Sequence, residues 1–242
     1  MPALISPDGR WWWDGQHWRS RLVEGRLDFF WFTDTPDWFA RIAVTGLIGL
    51  IPIVGAINLF GWTLTATEMV RNGWKELPPP GFQYLERGVN PFVVGFVYGV
   101  VFSALVSVLV VLDVLLGTSD QSRVALAIVV GVLIALLVLA AWAVYLYVYA
   151  ALFVASDRLG IGKALDPRRL FALARANHAV SLRVALVYLL MGLALAVIVF
   201  PVALFIPFGG LLVWLVLPGL YATLVPSLAV FQVEPAPVPA SP

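Results

Sequence analysis

The side chains that could perform acid–base or metal chemistry in this chain are few and scattered. Its histidines are His17 and His178, far apart in sequence and without ligand spacing around either. There is no cysteine, which removes thiolate nucleophiles, disulfides and Cys-ligated metals. Glu68, Glu76 and Glu86 stand in a polar connector and read as solvated. Asp113 is the one charge flanked by apolar residues inside a long apolar stretch. An intramembrane carboxylate invites a functional reading, but Asp113 lies near the end of its stretch, where Arg123 reaches it across a short loop. An acid, a base and a nucleophile cannot be assembled from this set. The expectation is a non-enzyme that needs no cofactor and no metal.

What remains is the chemistry of binding and packing. Residues 163–183 read as a basic amphipathic helix, with Asp166 as its N-cap and Pro167 at its first position. At about 100° per residue, Arg168, Arg169, Arg175 and Arg183 share one arc. Leu170, Leu173, Ala174, Asn177 and Val180 fall on the opposite arc. Such a helix lies in the membrane interface with its arginines towards anionic head groups. Gly95, Gly99, Ser103 and Ser107 recur at four-residue spacing, a stripe that lets another helix approach closely, within the bundle or in a homo-oligomer. Gly219, Thr223 and Ser227 repeat the device. Near the N-terminus, Trp11-Trp12-Trp13-Asp14-Gly15-Gln16-His17-Trp18 reads as a β-hairpin turning at Asp14-Gly15. That register sets Trp11 opposite Trp18 and Trp12 opposite His17. An isolated hairpin is marginal, so residues 1–27 should dock on the membrane interface or on a cytoplasmic protein partner.

The elements that carry these residues are dictated by charge-free stretches. Residues 42–67, 88–112, 124–156 and 184–233 contain no Asp, Glu, Lys or Arg. About 20 apolar helical residues cross a bilayer core, so each stretch suffices and the last suffices twice. The chain is 61% hydrophobic and 12% charged, with a net charge of +1. That balance excludes a basic nucleic-acid surface, and continuous rather than alternating apolarity excludes a barrel. Residues 1–41 lack the short apolar core of a cleavable signal. The second helix should begin after Asn90-Pro91, the third should run from about Arg123 to Ser156, and the last stretch should break near Pro201 and Pro207. Trp142, Tyr145, Tyr147, Tyr149 and Phe153 fall where an aromatic interface belt belongs. A Pro-rich, disordered tail is expected over 234–242.

The first stretch is interrupted at Ile51-Pro52-Ile53-Val54-Gly55, where proline removes a helical hydrogen bond. It is either a kinked crossing or a re-entrant hairpin. The positive-inside rule separates the two. A crossing divides the Lys and Arg residues nine to six, whereas a hairpin puts fourteen on one side and only Arg123 on the other. The fold expected is all-α and polytopic: four transmembrane helices, a re-entrant hairpin in place of a fifth crossing, and a small N-terminal β-hairpin. Both termini are then cytoplasmic. The domain plan is a Trp-rich module over 1–27, a membrane domain over 28–233 and the tail.

The middle of the chain resembles the domain-of-unknown-function 4013 family of prokaryotic integral membrane proteins. The resemblance rests on residues in order: Pro36-Asp37-Trp38, Gly46 to Gly55 (GLIGLIPIVG), Gly61-Trp62, Arg71-Asn72-Gly73, Glu76-Leu77-Pro78, Gly95-Phe96-Val97-Tyr98 and Gly219-Leu220-Tyr221. It covers roughly 34–232. Thr65, Thr67 and Glu68 stand where the family's connector is usually richer in arginine. Residues 1–27 separately resemble the Trp-Asp-Gly modules of the domain-of-unknown-function 2510 type found beside bacterial membrane spans. Neither resemblance implies an activity or a set of functional residues. The function expected is that of a multi-pass protein of the prokaryotic cytoplasmic membrane, acting as a scaffold that holds lipid or a partner at its cytoplasmic face. The alternative is a transporter or channel subunit using the helix breaks at Pro52 and Pro207.

Overall fold

The computed structural model describes residues 11–13, 18–20, 29–74, 76–116, 121–205 and 209–233; side chains are described outside 11–13, 18–20, 112, 113, 115, 116, 121–127, 198–205 and 209–212. The described residues are mainly helical: α1 (Trp38–Gly49), α2 (Val54–Arg71), α3 (Leu85–Leu116), α4 (Gln121–Leu159), the short α5 (Ile161–Ala164), α6 (Pro167–Ala176), α7 (His178–Phe205) and α8 (Gly209–Ala229). Three carry windows long and apolar enough to cross a membrane: Leu85–Val111, Ile128–Leu159 and His178–Val197, with mean hydropathies of 2.5, 2.8 and 2.2. Trp38–Gly49 and Val213–Ala229 are shorter apolar stretches.

The first apolar stretch folds as two arms. α1 has 12 residues and α2 has 18, about 18 Å and about 27 Å of helix. Pro52 stands in the turn between them, where its missing N–H costs no helical bond. Ile53 takes φ 64°, a value a β-branched residue rarely adopts. The arms run antiparallel in contact, Gly55 lying so near the Ile48 and Gly49 backbone that a Cβ there would meet it at 2.5–2.6 Å.

One end of the bundle gathers the polar helix ends. Arg41, in the first turn of α1, donates to the Leu77 carbonyl in the connector that follows α2. Arg71, at the end of α2, reaches the last carbonyls of α8. Arg87 near the start of α3 grips Asp157 near the end of α4. Asn177, just before α7, exchanges two hydrogen bonds of 2.8 and 2.9 Å with Gln232, just after α8. The start of α1 and the end of α2 therefore share a face with α3, α4, α7 and α8.

The core sits at this end, around Trp62, Leu64, Leu77, Phe153, Val184 and Leu228. Towards the other end, apolar side chains such as Val101, Val108, Leu133, Leu136, Leu190 and Val197 are exposed. Glycines bring the helices together in the core half. A Cβ on Gly61 would overlap the Tyr84 carbonyl, and one on Gly88 would overlap the Ile57 carbonyl, so α2 and the start of α3 touch through backbone.

Several expectations change. α3 begins at Leu85, so Pro91 lies within it; the residues before the proline are already held against α2 by Gly61 and Gly88. α7 begins at His178, earlier than the charge pattern implied, and continues through Pro201. The break at 206–208, with Pro207, lies outside the described residues. So do the loop at 117–120, the side chains of Asp113 and Arg123, and the tail from 234. Tyr149 and Phe153 are buried in the core, whereas Trp142 is exposed and Tyr145 and Tyr147 are half-buried. The belt is therefore shorter than the sequence suggests. Strands Trp11–Trp13 and Trp18–Ser20 pair antiparallel with Trp13 opposite Trp18, Trp12 opposite Arg19 and Trp11 opposite Ser20. Trp11 is thus paired with Ser20 and not, as expected, with Trp18.

Candidate functional site

Two groups of charged residues occupy the polar end, and they differ in what holds them. The first is a clamp between helix ends. Glu68, one turn before the end of α2, accepts from Arg71 Nη1 at 3.0 Å and from Arg158 of α4. Arg87 lies 3.8 Å from the same carboxylate oxygen. It grips Asp157 through two bonds, Nε to Oδ1 at 2.9 Å and Nη2 to Oδ2 at 2.8 Å. Such a forked pair is both stronger and more directional than a single contact. Arg71 is 5% exposed; its Nε donates to the Ala229 carbonyl at 3.1 Å and its Nη2 to the Leu228 carbonyl at 3.4 Å. A cation on the final carbonyls of a helix also complements the helix dipole. Glu68 is therefore an ion-pair hub rather than the solvated residue expected. Its signal in the sequence was only its place three residues before Arg71, a helical pairing distance.

Nearby, the connector is tied down by polar contacts. The Leu77 N–H donates to Thr35 Oγ1 at 3.0 Å, Trp62 Nε1 donates to the Pro78 carbonyl at 3.2 Å, and the Tyr84 hydroxyl donates to the Pro79 carbonyl at 2.6 Å. Burial pushes the Tyr84 hydroxyl above its ordinary pKa, against the opposing influence of its Gln83 hydrogen bond and the Arg41 charge.

The second group is on α6. Asp166 caps this helix, accepting from the Arg168 and Arg169 amides at 3.0 and 3.4 Å, with Pro167 at its first position. Leu170 and Ala174 are buried and Leu173 packs on the core, so this face anchors the helix to its neighbours, chiefly α4. Arg168, Arg169 and Arg175 are exposed. Among the described residues their guanidinium groups have no hydrogen-bond or ion-pair partner. The amphipathic segment is shorter than 163–183: α6 ends at Ala176, and Asn177 interrupts the chain, its side chain bonding back to the Leu173 carbonyl at 3.0 Å. Arg183 consequently belongs to α7 and is half-buried.

Beside α6 runs an open groove of about 480 Å³, lined by Ala143, Val144 and Tyr147 of α4, Phe171 and Arg175 of α6, and His178 at the start of α7. The Tyr147 hydroxyl lies 2.9 Å from His178 Nδ1 and 3.4 Å from the Ala174 carbonyl, and its ring is 6.0 Å from that of Phe171. Nothing in the sequence marks this groove, because His178 reads as an isolated histidine until α6 folds back against α4.

The small-residue stripe of α3 is not part of either group. A Cβ on Gly95 or Gly99 meets nothing within 4 Å beyond its own helix, and Gly99, Ser103 and Ser107 are exposed. Among the described residues, therefore, no other helix packs closely on Gly95 or Gly99, contrary to the packing within the bundle that their spacing suggested. Thr223 and Ser227 of α8 are buried, and Gly219 meets the Ile42 side chain. Pro52 is exposed at the hairpin turn, away from both charged groups. Among the described residues no group of three or more His, Asp or Glu side chains could hold a metal ion.

The model of a family described as "Protein of unknown function (DUF4013)" matches residues 44–208. The chain belongs to this family. The match takes in the clamp residues Glu68, Arg71, Arg87, Asp157 and Arg158, the whole of α6 and every residue that lines the groove. It does not reach residues 1–27, nor α8, whose final carbonyls Arg71 holds. No curated protein and no solved structure matches the chain.

Proposed function

We propose that this member of the DUF4013 family is a non-catalytic, multi-pass protein of the prokaryotic cytoplasmic membrane that holds anionic lipid, together with a cytoplasmic protein partner, at its charged face. In this reading α3, α4, α7 and α8 cross the bilayer, and α1 and α2 form a re-entrant hairpin. The placement of the start of α1 and the end of α2 at one end of the bundle supports that topology, and so does the fourteen-to-one charge division. Residues 1–27 supply the partner-binding module.

The observation that carries the lipid reading is α6. Its apolar face is fixed to the bundle, while three exposed arginines with no partner among the described residues stand beside the exposed ring of Phe171. Basic side chains beside an exposed aromatic ring suit the anionic membrane interface. The chain has no native cysteine, so a single cysteine at Ala172 can carry an environment-sensitive fluorophore. The full chain would be reconstituted in phosphatidylcholine vesicles with and without phosphatidylglycerol. Phosphatidylglycerol should shift the emission to the blue, and Arg168→Gln with Arg169→Gln should remove the shift. Indifference to lipid charge in the unsubstituted chain would refute the reading. For the topology, Asn72→Cys should resist a membrane-impermeant maleimide in intact cells while Ser119→Cys reacts; labelling of Asn72→Cys from outside would show a crossing.

One observation favours the transporter reading instead. Asn58 on α2 is 1% exposed and neither polar atom of its side chain has a partner; Thr45 Oγ1 on α1 is likewise buried without one. Buried polar groups normally find a partner, and a broken helix pair at membrane depth is where some transporters hold a polar solute.

A further inference from the structure

The second inference deepens the lipid reading and rests on it. We infer that the groove between α4, α6 and the start of α7 is a discrete binding site for one anionic phospholipid. Its phosphate is held by Arg175 and His178, and an acyl chain lies along Ala143, Val144 and the ring of Phe171.

The lining changes character in the order a phospholipid does. Ala143 and Val144 belong to the stretch of α4 from Ile128 to Val144, most of whose apolar side chains are exposed in the manner of a lipid-facing surface. One turn further on, Tyr147 brings its hydroxyl to His178 and the Ala174 carbonyl. Arg175 and His178 then close the polar end. The groove thus spans the boundary between hydrocarbon and head-group chemistry within two turns of α4. Tyrosine, with an apolar body and a polar tip, suits that boundary.

The polar end is set for an anion. Among the described residues no carboxylate lines the groove. Among the described residues Arg175 has no ion-pair partner, in contrast to Arg71, Arg87 and Arg158. His178 is held through Nδ1, which leaves Nε2 for a ligand. When the Tyr147 hydroxyl donates to Nδ1, the ring carries its proton on Nε2, which can donate to a phosphate oxygen, and the hydrogen bond to Tyr147 fixes the imidazole in place. A planar guanidinium and a positioned imidazole are both good phosphate partners. Phe171 is 48% exposed and Val144 is 53% exposed; an acyl chain in the groove would cover both. The volume of about 480 Å³ falls in the ordinary range for small-molecule sites, roughly 300–1,000 Å³.

Native mass spectrometry tests the proposal. The full chain would be released from nanodiscs containing equal phosphatidylcholine and phosphatidylglycerol. The unsubstituted chain should retain one phosphatidylglycerol in preference to phosphatidylcholine. Val144→Trp, which fills the apolar half, and Arg175→Gln, which removes the charge, should each lower that occupancy about tenfold. Lys163→Gln, at an exposed position outside the groove, should leave it within about twofold. Val144 and Arg175 are both surface positions, and a melting curve unchanged from the parent shows that the variants fold. Equal retention of the two lipids, full retention by Val144→Trp, or an adduct with the mass of a second chain in place of lipid would each overturn the proposal. Its failure is separable from that of the broader reading. A fluorophore at residue 172 that responds to lipid charge, with no retained lipid, removes the groove alone. A retained lipid with an unresponsive fluorophore removes the broader role of α6 alone.

Discussion

Arg71, Arg87 and Arg158 share a face of the molecule with Arg168, Arg169 and Arg175, yet the two sets are used in opposite ways. The first set is spent inside the protein, on Glu68, Asp157 and the final carbonyls of α8. The second set has no partner among the described residues. A buried guanidinium must be paired because its desolvation is costly; an exposed one at a membrane interface can wait for an anion from outside. A count of positive charge along the chain therefore merges two quantities. Both sets enter such a count alike, but only the second remains available for binding.

The sharpest way to break this contrast is Arg71→Ala. It leaves Glu68 short of a partner and uncaps α8 at Leu228 and Ala229. Glu68 keeps Arg158 and Arg87, so the main loss is the buried guanidinium's bonds to two carbonyls, at about 1.5–3 kcal/mol for each hydrogen bond of a charged group. Thermal unfolding of the purified chain in detergent should show that loss for Arg71→Ala and a change within about 0.5 kcal/mol for Arg168→Ala, as at an ordinary surface position. Lysine should rescue Arg71 poorly, because a single ammonium cannot span Glu68 and two carbonyls as a guanidinium does. Equal costs at Arg71 and Arg168 would erase the distinction between the two sets.

Glycines supply a second contrast, with a smaller expected effect. Gly61 and Gly88 touch the backbone of a neighbouring helix, whereas Gly95 and Gly99 do not. Gly61→Ala must push α2 and the start of α3 apart, at about 1–3 kcal/mol for overpacking. Gly99→Ala meets open space and should stabilise α3 by up to about 1 kcal/mol through helix propensity. The same melting assay separates them, and a destabilising Gly99→Ala would show that another chain packs on that stripe.

These contrasts also mark how far the sequence can be read. The charge-free stretches located the long apolar helices because backbone in hydrocarbon must be hydrogen-bonded internally. Pro52 marked a true break, and Asp166-Pro167 marked a helix start, since both act through local backbone chemistry. Pro91 and Pro201 obeyed the same local rule less strictly, and the helices run through them. Four-residue spacing revealed the α3 stripe but not whether anything faces it. The contacts of Gly61 and Gly88 exist only once α2 and α3 are side by side. The roles of Glu68 and His178 were hidden for the same reason: their partners Arg158 and Tyr147 lie 90 and 31 residues away in the chain.

The smallest expected effect bears on the competing reading of the α1–α2 hairpin. Asn58 is fully buried with neither side-chain atom paired, and a buried amide without a partner costs about 1–3 kcal/mol. If the hairpin interior is a packed wall, Asn58→Leu replaces an unsatisfied amide with an apolar side chain of similar size. The chain should then gain up to about 1 kcal/mol in the melting assay, and a cysteine at residue 58 should resist water-soluble thiol reagents. If the hairpin holds water or a polar solute, the leucine removes the partner of that occupant. Stability should then fall, and Asn58→Cys should react. The sign of the Asn58→Leu change therefore decides whether the broken helix pair only fills space beside α8 or encloses a polar site within the membrane.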